Sequence, residues 1–169
     1  GQHNITGQGG LNAPGICYVT EFKSSNLYPA RNTVAEVRDK IYIDLNNAIN
    51  NFTTSLNDPD KYSVTSDAAY AIKSRVAIYF GDKAIAKDAC EAIINNYTIA
   101  SRSDYSSTFS STTAASNSIF ELVQLTNDNN SINGLASIYR KGQSNVGYGD
   151  IQVLNQFISD AGFDSDDIR

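Results

Sequence analysis

The stretch SDAAYAIKSRVAIYFGDKAIAKDACEAIIN, Ser66 to Asn95, allows few folds. Ala69, Ile72, Val76 and Tyr79 recur every three or four residues, with Phe80 widening the stripe, which is the spacing of one buried helix face. Gly81 ends that pattern, because a residue without Cβ takes the left-handed conformation at a helix C-terminus at little cost. Asp82 is placed to cap a following helix. A second stripe then runs Ile85, Ala89, Ala92 and Ile93, with Ala86 and Cys90 beside it. Helices joined by so short a link must run antiparallel, so the stretch predicts a helical hairpin, with small residues allowing close approach. On this reading, Ile72→Ala or Val76→Ala would lower stability by roughly 1–4 kcal/mol.

Upstream, Thr33 and Glu36 form a Thr-x-x-Glu capping box, which predicts a helix start. Val34, Val37, Ile41, Leu45, Ala48 and Phe52 then mark one face over five turns. The pattern ends near Thr53, and Asp58-Pro59 predicts a turn. The step from Thr33 to Ser66 is close to one tetratricopeptide repeat, so this helix is expected beside Ser66–Phe80. Residues 1–32 read as a connecting loop with CYVTEF, Cys17–Phe22, extended against the helices. Gly7, Gly9 and Gly10 mimic a phosphate loop but lack the following Lys-Ser/Thr.

After the hairpin the pattern loosens. Residues 98–149 read as a loop-rich insertion, and Tyr97, Tyr105 and Phe109, spaced through Asn96–Ser118, pin the chain to the hairpin. Its IFELVQL run, Ile119–Leu125, is a strand candidate, although periodicity alone leaves a helix open. Residues 150–169 predict a final helix capped by Asp150, with Ile151, Leu154, Phe157 and Ile158 on its apolar side, and an acidic tail. The fold class is therefore mainly α, with tetratricopeptide-like antiparallel hairpins, long loops and little β, and a single domain over residues 1–169.

Composition narrows the chemistry. The chain of 169 residues is long enough to bury roughly 70% of its unfolded surface. Its net charge of −5 is dispersed, with no basic cluster to bind nucleic acid. His3 is the only histidine, so neither a His-based nucleophile system nor a histidine zinc site has its base or ligand set. Carboxylates on polar helix faces and in loops offer no glycosidase pair. Asp128-Asn-Asn130 and Asp164-Ser-Asp166-Asp167 resemble the start of a calcium loop but lack its glycine and twelfth-position glutamate. No catalytic residue, metal ligand or cofactor is assigned. Cys17 and Cys90 read as two buried thiols, with a disulfide open in an oxidising compartment. Asn-x-Ser/Thr sequons at Asn4, Asn51, Asn96 and Asn129 are what an Asn-, Ser- and Thr-rich chain produces by chance.

Six segments in order resemble the SusD/RagB family of glycan-binding lipoproteins of the Bacteroidetes outer membrane. They are GICYVTE (Gly15–Glu21), RNTVAEVRDKIYIDLNNAI (Arg31–Ile49), SDAAYAIKSRVAIYFGD (Ser66–Asp82), AIAKDACEAIINNY (Ala84–Tyr97), SIFELVQ (Ser118–Gln124) and DSDDIR (Asp164–Arg169). Cys17 departs from the family, which usually has Pro there. The resemblance implies non-catalytic capture of an oligosaccharide or polysaccharide at the cell surface. It also implies delivery to a SusC-like TonB-dependent transporter, and membrane attachment only through a lipid anchor outside this stretch. A chain that begins at Gly1 and contains no Met is expected to be an internal piece of such a protein, mainly scaffold.

Sugar recognition needs flat apolar faces ringed by amide, hydroxyl and guanidinium groups. Tyr139, Arg140, Gln143, Asn145 and Tyr148 supply these types on one Gly-punctuated loop. The same tyrosines would equally serve to anchor a long loop. The rival function from another class is a tetratricopeptide-like module that binds protein.

Overall fold

Helix formation begins where the chain satisfies its own free N–H groups. A computed structural model describes residues 9–22, 25, 28–52, 61–109, 113–122, 133–139, 148–149, 151, 153–163 and 166–167. Helix α1 (Val34–Asn51) opens on the expected capping box. Thr33 Oγ1 accepts from Glu36 N at 3.2 Å and Glu36 Oε2 accepts from Thr33 N at 2.8 Å. The Thr33 N–H and then the Asn32 amide hold the Glu36 carboxyl below its usual range. Val34 and Val37 are buried and Ile41, Leu45, Ala48 and Phe52 half-buried, so the predicted stripe is the packed face. Thr53 and Asp58-Pro59 lie outside the described residues.

Helix α2 (Ser66–Phe80) follows, its N-terminus capped by Thr65, whose hydroxyl accepts from Ala68 N at 3.3 Å. It ends at Gly81, φ 78, with Gly81 N donating to Ile78 O at 3.1 Å and Asp82 N to Ala77 O at 2.8 Å. Those two bonds are a Schellman motif. Helix α3 (Lys83–Glu91) then returns along α2. Asn96, just past α3, donates from Nδ2 to Asp67 at the start of α2 at 3.0 Å, as an antiparallel hairpin requires. Helix α1 also lies antiparallel to α2. Tyr42 Oη donates to Asp82 at 2.7 Å near one end of the pair, and Lys73 Nζ donates to Asn46 at 2.8 Å further along it.

The packed face of α2 differs from the sequence expectation. Ala68, Ala69, Ser74 and Ala77 are buried, whereas Ile72 is 45% exposed and Tyr79 is also exposed; Val76 and Phe80 are half-buried. A helix flanked on two sides at close range needs small side chains at its contacts, and the large ones are displaced outward. On α3, Ala86, Ala89 and the following Ile93 are buried, but Ala92 and Cys90 are exposed. Asp82 does not cap α3: its carboxylate makes no cap bond and is taken by Tyr42. Both cysteines are exposed free thiols rather than buried, and Cys17 donates through Sγ to Pro29 O at 3.3 Å.

The segment before α1 is anchored by its backbone. Gly15 N donates to Asn32 O at 2.6 Å and Asn32 N to Ile16 O at 3.0 Å, beside an antiparallel bridge between Pro14 and Thr33. A Cβ on Gly15 would lie 3.1 Å from Asn32 O, which leaves glycine as the residue that fits without a shift. Arg31 Nε donates to Gly15 O at 2.6 Å and Nη2 to Pro14 O at 2.6 Å. Tyr18 hydrogen-bonds Asp44, and Lys40 Nζ lies 4.8 Å from its ring centroid, so this part of Cys17–Phe22 does run against α1. Phe22 itself is exposed.

The chain divides into two compact units, one of Gly1–Ile99 with Thr112–Glu121 and one of Ala100–Ser111 with Leu122–Arg169. The elements above build the first. In the second, a 3-10 turn spans Ser106–Phe109, helix α4 spans Leu135–Tyr139 and helix α5 spans Asn155–Asp160. Tyr105 and Phe109 meet edge to face at 5.2 Å, and Phe157 and Phe163 at 6.1 Å. Arg102 donates to the Asp166 carbonyl. Helix α5 begins at Asn155 after Leu154, later than expected, with Ile151, Leu154 and Phe157 exposed; Asp150 and Ile158 lie outside the described side chains. Ile119–Leu122 is neither strand nor helix, and no strand occurs among the described residues. Val123–Leu125 lie outside them.

Candidate functional site

The loop proposed for sugar contains one element that periodicity missed, the five-residue helix α4. Its single turn is too short for an amphipathic repeat to register. Backbone bonds then fold the following chain back onto it. Tyr148 N donates to Ser137 O at 2.6 Å, Gly149 N to the same oxygen at 3.4 Å, and Ile151 N to Ile138 O at 3.4 Å. Tyr139, the last residue of α4, and Tyr148 are thereby held on neighbouring segments, 61% and 55% exposed. Two solvent-facing phenols on adjoining backbone can offer stacking faces and hydroxyl groups to a neutral ligand. Arg140, Gln143 and Asn145 lie outside the described residues.

The first unit holds two polar contacts that local sequence does not signal, because the partners are far apart along the chain. The Tyr42 hydroxyl donates to Asp82, and burial together with that carboxylate pushes the phenol well above its ordinary value. Tyr97 is half-buried beside Asp67, and burial followed by the nearby carboxylate pushes it up to about 12. Lys61 Nζ lies 6.0 Å from the Tyr97 ring centroid. Tyr97 is thus the aromatic that meets the hairpin, while Tyr105 and Phe109 pack on each other.

These phenols set an alkaline limit. A group whose folded pKa is raised keeps its full contribution below its unfolded pKa and loses it as pH climbs through the folded value. The denaturation midpoint is therefore expected to hold up to about pH 10 and to fall between about pH 10 and 12. The double variant Tyr42→Phe/Tyr97→Phe should be less stable near neutrality but show a flatter decline. An equal slope in both proteins would mean that other groups set the limit.

Among the described residues no group of three or more His, Cys, Asp or Glu is placed to hold a metal ion. No described helix is long and apolar enough to cross a membrane. His3, Gly7, Asp128–Asn130, Asp164 and the sequons at Asn4 and Asn129 lie outside the described residues.

No family model matches the chain, and no curated protein matches it. Among solved structures, it is similar to a SusD superfamily protein from Bacteroides thetaiotaomicron VPI-5482. The identity is 24% and the TM-score 0.62, over 70% of this chain and 26% of the other. The chain thus spans about a quarter of that neighbour's length. With its antiparallel helices and no strand among the described residues, the chain has a mainly helical, SusD-like fold.

Proposed function

We propose that the protein takes part in non-catalytic glycan capture at the outer cell surface, as part of a lipid-anchored, SusD-like protein that passes oligosaccharide to a SusC-like TonB-dependent transporter. The observation that carries this reading is the SusD-like fold, built from the α1–α3 stack and matched at a TM-score of 0.62. Residues 33–97 serve as scaffold. The loop carrying Tyr139, Arg140, Gln143, Asn145 and Tyr148 is the proposed sugar-facing segment. A second reading, a module that binds protein, is favoured by the exposed Ile72, Ile78 and Tyr79 on α2.

Affinity electrophoresis of the full-length protein through gels containing single polysaccharides tests the first reading. Retardation is expected in at least one gel and should be largely independent of salt, because stacking and neutral hydrogen bonds release few counterions. Tyr148→Ala should weaken binding several-fold to about tenfold through the lost stacking face. The backbone N–H of Tyr148, not its ring, makes the bond to Ser137, so the substitution leaves that attachment in place. Unchanged retardation with a lowered melting temperature would make Tyr148 an anchor only. Absence of retardation in every gel, with capture of a protein partner other than such a transporter, would favour the second reading.

A further inference from the structure

Lys61 is the one non-glycine residue with positive φ among the described residues, at φ 60. A side chain with a Cβ is strained there by about 1–2 kcal/mol, so the surroundings must hold it in place. Its carbonyl accepts from Glu121 N at 2.9 Å. Its ammonium donates to Ala115 O at 2.6 Å and Ser116 O at 3.2 Å, on the side of the Tyr97 ring. Glu121 closes the same turn by accepting from Ala115 N at 3.0 Å, and it also bonds Ser118. Ala115 is buried. Two main-chain carbonyls accept directly from one positive charge, with a carboxylate and an aromatic face in its neighbourhood, and these are the group types of a cation-binding loop.

We propose that the turn 115–121 is a cation cradle whose resident cation is the chain's own Lys61 ammonium, and that this ammonium clasps the turn to the first unit. In sequence the clasped segment, Thr112–Glu121, separates Ala100–Ser111 from Leu122–Arg169, both of the second unit. The clasp therefore sits where the chain returns to the first unit and leaves it again. Neutralising Lys61, by substitution or by acylation of its amine, releases the turn and leaves α1–α3 folded.

The test is amide hydrogen exchange on the whole chain carrying Lys61→Gly, which removes the ammonium and relieves the positive φ together. Exchange at Ala115 and Glu121 should accelerate at least about tenfold, the scale of one lost charge-assisted hydrogen bond, while α2 amides keep their rates. Added n-butylammonium, which matches the missing side chain, should slow both amides again. Tetramethylammonium, which has no N–H to donate, should not. Lys61→Met, which keeps the stem without the charge, should repeat the acceleration. Unchanged exchange, absent rescue by n-butylammonium, equal rescue by tetramethylammonium, or melting of the helices in both variants would each overturn the proposal.

Discussion

Ala77→Leu is expected to lower stability by about 1–3 kcal/mol, and more than truncation to Ala of the larger, exposed apolar residues of the same helix. Ala77 has no solvent exposure, and the other buried residues of α2 are the equally small Ala68, Ala69 and Ser74. The facing helix contributes Ala86 and Ala89, so the hairpin approaches closely through a contact with little side-chain volume to yield. Added methylenes must then displace a backbone or force an off-rotamer side chain. Ile72→Ala is the matched control. With Ile72 45% exposed, only part of the side chain's full transfer free energy is there to lose on truncation, and a loss of about 1 kcal/mol or less is expected. Urea midpoints at constant m would measure both. A larger loss from Ile72→Ala than from Ala77→Leu would mean that α2 packs through its large residues after all.

That contrast also explains what the sequence could and could not reveal. Helix α1 was legible in both start and face because it is packed through one stripe, and its capping box is local. Helix α2 was legible as a helix but not in its face. Periodicity weights large apolar residues, whereas a helix gripped from two sides buries Ala and Ser and turns Ile72, Ile78 and Tyr79 outward. Ser74 tolerates burial because its hydroxyl donates to Ala71 O at 2.8 Å within its own helix. The role of Asp82 was hidden for a different reason. Its position after Gly81 fits a cap, but its partner Tyr42 lies on another helix, and no local pattern announces it.

The strand expected at Ile119 failed on pairing. An apolar run supplies β propensity but not a neighbouring strand, and in this segment Glu121 N is taken by Lys61 O while Leu122 is 81% exposed. Free thiols are buried on average, but that average says nothing about a particular position, and Cys17 before α1 and Cys90 on α3 are both exposed. In the candidate sugar loop, the residue types were legible and their arrangement was not. The pairing of Tyr148 with Ser137 uses backbone atoms that every sequence has, so side-chain identity could not foretell it.

Gly81→Val is expected to cost about 2 kcal/mol, with the loss arising in the backbone. Gly81 sits at φ 78, where a β-branched residue is strained, and it is solvent-exposed, so the new side chain loses no packing by pointing outward. Its conformation aims Asp82 N back at Ala77 O, which fixes the turn between α2 and α3 and holds the Asp82 carboxylate where Tyr42 reaches it. Strain at this position should therefore be felt at both the hairpin and the α1 contact. Gly81→Asn separates conformation from side-chain bulk, because Asn enters the left-handed region more readily and should cost less than half as much. If the backbone sets the effect, stability falls in the order Gly, Asn, Ala, Val. If Val and Asn prove equally harmful, side-chain size or loss of the turn's solvation is responsible instead. If neither is harmful, the hairpin tolerates another turn, and the short Gly-Asp link is not what sets the angle between α2 and α3.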